Sequence, residues 1–180
     1  IGRASDPGRH SLAGELFQAA LPAVTTFTSP RAWAYVLLGI EEYLRAFQGD
    51  SSVESLRQDL TTRLFGLLQQ SSGRDWSWFE DSVTYCNARL SQALIVSGAR
   101  MRRANVVDGG LNSLDWLVSL QLSAEGDFAP IGCNGFLARG GDKFHIASGG
   151  HELVYHLLRA EQRLDGVYAD IVCGKLVCGH

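Results

Sequence analysis

One stretch of the sequence crowds together the side chains that sugar chemistry uses. It runs from Asp75 to Gln92 and reads Asp-Trp-Ser-Trp-Phe-Glu-Asp-Ser-Val-Thr-Tyr-Cys-Asn-Ala-Arg-Leu-Ser-Gln. Aromatic planes stack on the C–H faces of sugars, and this stretch supplies Trp76, Trp78 and Phe79. Carboxylates bind sugar hydroxyls or act as acid and base, and Glu80 and Asp81 follow directly. The stretch therefore indicates a candidate carbohydrate site.

The same residues also have a purely structural interpretation. An aromatic cluster before a helix usually fills a core, and a carboxylate in a first helical turn usually caps the helix. Cys86 is expected as a small buried side chain. Arg31 and Arg89 are expected to pair with carboxylates of other helices. Residue types alone favour this interpretation over a sugar site.

Composition bounds the class of protein. At 180 residues, one domain over residues 1–180 is expected. A net charge of −3 without a basic block argues against nucleic acid and anionic membranes as partners. The longest apolar stretch, residues 32–40, is too short to span a bilayer. The absence of an initiator Met suggests a piece of something longer.

The cysteine spacing gives no sign of a metal or cofactor. There is no CxxC pair among the four cysteines, which are Cys86, Cys133, Cys173 and Cys178. A zinc site at the chain end would lack a second ligand pair. Reduced thiols in a cytoplasmic protein, with no metal and no cofactor, are therefore expected.

Helical periodicity predicts an all-α fold built from antiparallel helices joined by short turns. Six helices are predicted. The first starts at residue 12, with Ser11 as its cap, and ends at a break at 25–28; the second runs from 30 to about 47; the third runs from 51 or 52 to a turn at 71–73. The other three are predicted at about 82–101, 111–122 and 151–164. Residues 123–148 are predicted as a long loop or small hairpin, and the tail at 165–180 has no assignment.

The fourth predicted helix carries a polar face. If its register extends back to Glu80, then Glu80, Thr84, Asn87 and Ser91 follow one another at spacings of four, three and four. Residues at these spacings share one side of a helix.

Several stretches together resemble a known family. The segment D-W-x-W-F-E-D-x-x-T-Y-x-N-A-R-L at 75–90 resembles the signature of a bacterial domain of six-hairpin glycosidase type, which often follows, or is encoded beside, a retaining glycosyltransferase. Similar stretches follow the family order: S-P-R-A-W-A at 29–34, L-D-W-L at 114–117, and F-A-P-I-G at 128–132 through Gly140 and Gly141. The resemblance covers about residues 12–152. It departs at Cys86, where the family commonly has Asp.

The resemblance implies αα-hairpins that form part of an (α/α)6 toroid, with a carbohydrate cleft at helix N-terminal ends. The implied sugar platforms are Trp76 and Trp78. The implied acid/base candidates are Glu80 and Asp81, with Glu152 matching a family Glu. The residues implied to orient a hydroxyl or carboxylate are Asn87 and Arg89. The implied partners are an oligosaccharide and a glycosyltransferase domain, and the Leu-rich flank of a half-ring invites a homo-oligomer.

Four functions remain open from the sequence. Hydrolysis needs a carboxyl pair, and because adjacent Glu80 and Asp81 point apart, the second member would be Asp127, Asp142 or Glu152. A non-catalytic carbohydrate-binding or accessory domain of a glycosyltransferase is favoured by the loss of Asp at position 86. A sugar epimerase or isomerase would use His145 or His151 as base. A helical interaction module would involve no sugar.

Overall fold

The computed structural model describes residues 6–122, 131 and 136–141. This described part is mainly helical, as predicted. Its elements in chain order are α1 (Pro7–Val24), α2 (Pro30–Ala46), α3 (Ser51–Ser71), β1 (Ser82–Val83), α4 (Ala88–Arg100), α5 (Ala104–Leu120) and β2 (Leu137–Ala138). None of these helices is long and apolar enough to cross a bilayer. The helix predicted at 151–164 and the tail at 165–180 lie outside the described residues.

The chain divides into two compact units. The first is Ile1–Leu120 with Leu137–Gly141, and the second is Gln121–Phe136 with Asp142–His180. In the second unit, the backbone N–H of Ile131 donates to Oε1 of Gln121 at 3.2 Å. All seven named elements belong to the first unit.

The first two helices begin at residues that suit a helix start. The side chain of Asp6 caps α1 by accepting the N–H of Arg9 at 3.0 Å. This helix therefore starts earlier than the predicted Ser11 cap. Helix α2 begins at Pro30, as predicted, because proline needs no partner for a missing N–H in the first turn.

Asp50 caps α3 and also ties it to two other helices. Its Oδ1 accepts the N–H groups of Ser52 at 3.1 Å and Val53 at 3.2 Å. Its Oδ2 accepts from Nε2 of Gln18 at 2.7 Å and from the hydroxyl of Tyr43 at 3.0 Å. Hydrogen bonds from the Ser52 hydroxyl first, and then from the Val53 backbone, lower the pKa of Asp50 to about 2.

Helix α4 is the centre of the first unit. Eight of its 13 residues are buried, including the polar Ser91, Gln92 and Ser97, so the helix is enclosed on nearly every side. It packs against α2, α3 and α5. Its polar Ser91 meets Ser113 of α5, with 2.8 Å between the two Oγ atoms, so the buried hydroxyls are satisfied.

The helix predicted from residue 82 is wrong over residues 82–87. Ser82 and Val83 instead pair antiparallel with Ala138 and Leu137, so β1 finds its partner far along the chain. The backbone at Cys86 is left-handed, with φ of 50°, and a left-handed residue cannot continue a helix. Helix α4 therefore starts six residues later than predicted.

Helix α5 begins earlier than the predicted start at residue 111. The α4 helix ends in a Schellman motif, in which the N–H of Arg103 donates to the carbonyl of Gly98 at 2.8 Å. Arg102 occupies the left-handed position of this motif, with φ of 55°. The chain then enters α5 at Ala104, and Gly109 and Gly110 lie inside the helix rather than before it.

Candidate functional site

Two of the recognised motifs meet at the N-terminal ends of α2 and α4. Arg31, the second residue of α2, is 7% exposed. Its Nη1 donates to Oε1 and Oε2 of Glu80 at 2.8 and 2.6 Å, and its Nε donates to the backbone carbonyl of Tyr85 at 2.7 Å. Its Nη2 donates to Oγ1 of Thr84 and to Oδ1 of Asn87, the latter at 3.3 Å. We term Arg31, Glu80, Thr84 and Asn87 the Arg31 cluster.

A tight turn brings the loop residues to Arg31. Oδ1 of Asn87 accepts the N–H of Thr84 at 3.1 Å, and Nδ2 of Asn87 donates to the carbonyl of Thr84 at 3.2 Å. The prediction that Glu80, Thr84, Asn87 and Ser91 share a helix face is wrong, because the first three precede α4. Glu80, Thr84 and Asn87 nevertheless converge on Arg31, whereas Ser91 is buried against α5.

The electrostatics of the cluster depend on one ion pair. The five hydrogen bonds above engage all three nitrogens of the Arg31 guanidinium. The side chains of Arg31 and Glu80 are 8% and 26% exposed. A buried charge without a partner is strongly destabilising, so Glu80 compensates Arg31. Each carboxylate oxygen keeps a second lone pair for an outside hydroxyl.

Glu80 is the one carboxylate of the Arg31 cluster within the described residues. Asp81 turns away, as expected for adjacent residues: its side chain is 90% exposed and its Oδ1 lies 3.7 Å from Nη1 of Arg139. The suggested second carboxyls and bases, Asp127, Asp142, Glu152, His145 and His151, lie outside the described residues. Within the described part, no three His, Cys, Asp or Glu residues group to hold a metal ion.

The two tryptophans of the signature belong to the core. Trp76 and Trp78 are 6% and 0% exposed. Both rings pack on Trp116, at 4.9 Å edge-on and 5.9 Å stacked. Nε1 of Trp76 also donates to the backbone carbonyl of Glu80 at 2.8 Å, which fixes the loop. Neither ring offers a free face, so stacking on a sugar would require it to leave the core.

Two tyrosines, rather than the tryptophans, are exposed beside the Arg31 cluster. Tyr35 and Tyr85 are 50% and 61% exposed. The guanidinium carbon of Arg31 lies 4.7 Å from the ring centroid of Tyr85. Cys86 is exposed, which corrects the prediction that it is buried. We term Tyr35, Tyr85, Cys86 and Arg89 the tyrosine surface.

Contacts within the tyrosine surface connect α2 to the start of α4. The hydrogen bond between Tyr35 and Cys86, and then burial, raise the pKa of Tyr35, while Arg89 acts in the opposite direction. Nη1 of Arg89 donates to Oε1 of Gln92 at 2.6 Å, so among the described residues Arg89 pairs with an amide and not with a carboxylate. The sequence held one sign of this surface: Tyr35 falls off the apolar stripe of α2, whose buried residues include Ala34 and Leu37.

Comparison of the chain with protein-family models, curated proteins and solved structures found no match. The function is therefore argued from the geometry of the Arg31 cluster and the tyrosine surface, with the family resemblance as an expectation beside it.

Proposed function

We propose that this chain is a carbohydrate-binding domain that holds a sugar on the tyrosine surface without hydrolysing it. The observation that carries the proposal is the exposure of Tyr35 and Tyr85 next to Glu80 and Arg89. The tyrosine rings stack on the C–H face of a sugar. Glu80 accepts a hydroxyl hydrogen bond, and Arg89 donates one.

The Arg31 cluster supports binding because it fixes the loop that carries Tyr85. Arg31 holds the Tyr85 carbonyl at 2.7 Å and the Asn87 side chain at 3.3 Å, so this loop is ordered before a ligand arrives. An ordered site loses less conformational entropy on binding. Tyrosine suits such a surface because it presents a large amphipathic area with few rotatable bonds.

Glycoside hydrolysis is the second candidate function. It is kept because Glu80, 26% exposed, is reachable from solvent. Hydrolysis requires a second carboxyl facing the same cleft. Glu152 is the candidate from the resemblance. Binding is favoured over hydrolysis because both oxygens of Glu80 already accept hydrogen bonds from Arg31.

A binding screen tests the proposal. Mannose-, glucose- and galactose-type oligosaccharides are titrated calorimetrically into the parent, Tyr85→Ala and the control Tyr85→Phe, which keeps the ring. We expect Tyr85→Ala to weaken binding roughly tenfold, since an aromatic contact contributes about 0.5–1.5 kcal/mol beyond its buried area. Equal affinity in all three proteins contradicts the proposal, as does no binding to folded parent.

The same samples separate binding from hydrolysis. Released reducing ends are measured for the parent and for Glu80→Gln, at a temperature where both are folded. The proposal predicts no product from either protein. Product from the parent that disappears in Glu80→Gln would establish the second candidate.

The proposal also includes three features that the resemblance implies. They are a partial (α/α) toroid, a glycosyltransferase domain as partner, and self-association through a helical flank. Leu12 and Leu16 of α1 are 55% and 63% exposed, which supports the third. Light scattering after size-exclusion chromatography tests it. A dimer that becomes monomeric in Leu16→Lys supports self-association, and a monomeric parent removes it.

A further inference from the structure

The structure also has a groove that uses none of the residues of the tyrosine surface. This groove, of about 320 Å³, is lined by residues of α3, of α5 and of the chain that follows α3. This volume falls at the small end of the range of about 300–1,000 Å³ that small-molecule sites occupy. Phe65 and Leu68, which are 9% and 5% exposed, supply only a small apolar edge to it, and polar residues including Gln69 line the rest. The groove shares no residue with the Arg31 cluster or the tyrosine surface.

Three polar residues of α5 face this groove. Asn105, Asp108 and Asn112 follow one another at spacings of three and four, which places them on one side of the helix. Gly109 lies among them, and a Cβ atom there would stand 2.6 Å from Cε2 of Phe65. The absence of a side chain at Gly109 therefore lets the Phe65 ring pack directly beneath the polar residues.

The hydrogen-bonding groups of these residues are free for a ligand. In the part of the chain that the structure describes, no hydrogen bond or ion pair uses the side chains of Asn105, Asp108 or Asn112. The carboxylates of Asp50 and Glu80, by contrast, are both engaged with protein partners. The groove thus combines exposed polar groups, which have no protein partner in the described part of the chain, with a small apolar edge.

Charge limits the ligand that this groove can take. Among the described residues that line the groove, Asp108 is the one charged side chain and none is Lys, Arg or His. A carboxylate with no cation nearby disfavours an anion and favours a protonated amine. Asn and Gln side chains each supply both donors and acceptors, which suits hydroxyl groups.

We infer that the groove between α3 and α5 binds a small cationic polyol of the amino-sugar class. Its ammonium group is held by Asp108, and its hydroxyls bond to Asn105 and Asn112. Beneath it, Phe65 and Leu68 contribute only a small apolar edge, since they are 9% and 5% exposed. This inference does not depend on the proposed function, because binding at each site is followed through different residues.

Titration of the full chain with four probes tests this inference. D-glucosamine, D-glucose, D-glucuronate and putrescine are added while backbone amide chemical shifts are recorded. We expect glucosamine to shift the groove amides, including those of Asp108 and Asn112, and to bind roughly tenfold more tightly than glucose, because its ammonium makes a charge-assisted contact. Glucuronate is expected to leave these amides unchanged.

Two variants test whether the carboxylate of Asp108 causes the preference for glucosamine over glucose. Asp108→Asn is expected to remove the advantage of glucosamine over glucose. Asp59→Asn serves as control, since Asp59 is a half-exposed α3 carboxylate paired with Arg63 outside the groove, and is expected to keep the advantage. The inference is overturned if glucosamine binds no better than glucose, if Asp108→Asn keeps the preference, or if no groove amide moves. Putrescine binding as tightly as glucosamine would overturn the polyol part.

Discussion

Replacing Glu80 by Gln removes the charge that compensates the guanidinium of Arg31. Glutamine keeps the volume and one acceptor, but it leaves a positive charge on a side chain that is 8% exposed. Removing one partner of a fully buried pair costs about 3–5 kcal/mol. Glu80 is 26% exposed, so water offsets part of this cost, and we expect a loss of about 2–3 kcal/mol of unfolding free energy. For a domain of this size, that corresponds to a Tm lower by roughly 10 °C.

The adjacent residue provides a matched control. Asp81→Asn removes the same charge, but from a side chain that is 90% exposed and 3.7 Å from Arg139. An exposed pair of this kind contributes about 0–1 kcal/mol, so this variant should lie within about 0.5 kcal/mol of the parent. Urea unfolding followed by circular dichroism at a single pH measures both variants. The slope of free energy against urea should not change.

A double-mutant cycle separates the ion pair from other effects at position 80. Arg31→Met combined with Glu80→Leu removes both charges, so no uncompensated charge stays buried. The double variant should therefore be less destabilised than the sum of its single variants by at least about 1 kcal/mol. Additive losses, or a Glu80→Gln variant as stable as the Asp81→Asn control, would refute the reasoning.

Three further predictions concern helix packing, a helix end and acid stability. Gly110→Ala should lower the unfolding free energy by about 1–3 kcal/mol, since its Cβ would lie 2.8 Å from Cγ1 and 3.1 Å from the backbone nitrogen of Ile95. Gly66 has open space around it, so Gly66→Ala should raise the unfolding free energy by about 0.5–1 kcal/mol. Urea unfolding measures both variants. Arg102→Gly should raise the unfolding free energy by about 1 kcal/mol, because φ is 55° there; a lower urea midpoint would contradict this. The pKa of Asp50 is lowered from 3.8 to about 2, so its contribution to the unfolding free energy is complete above pH 3.8 and is lost as pH falls towards 2. Asp50→Asn keeps a helix cap but does not titrate, so its Tm should fall less steeply than that of the parent over this range. An equal fall in both proteins would count against the capping contacts.

Local signals in the sequence predicted the starts of α2 and α3, but the Asp6-Pro7 start of α1 was missed in favour of Ser11. The Ser29-Pro30 pair gave the start of α2, because it acts through the backbone of its own turn. The segment before α4 was mistaken for helix because β1 pairs with residues 54 or more positions away, which no local pattern records. Helix α5 was predicted to start too late because Gly109 and Gly110 were interpreted as a break before it, whereas both lie inside the helix.

The candidate site was predicted only in part, because Tyr35 and Tyr85 of the tyrosine surface were not among the predicted site residues. Glu80 and Asn87 were singled out, but their common partner is Arg31, which lies 49 residues before Glu80. Trp78 was an ambiguous residue, because a large aromatic ring serves a core as well as a ligand. Asn105 and Asp108 were overlooked because their shared face appears only once α5 is known to begin at Ala104.

The most direct test of the central claim is the location of bound sugar on the folded chain. Backbone amide shifts are recorded while the tightest-binding oligosaccharide of the screen is added. The account predicts that the largest changes fall on Tyr35, Tyr85, Cys86 and Arg89, and that in Tyr85→Ala the changes at the other three residues require roughly tenfold more sugar. Largest changes at other residues, or no change in a folded sample with any sugar of the screen, would contradict the account.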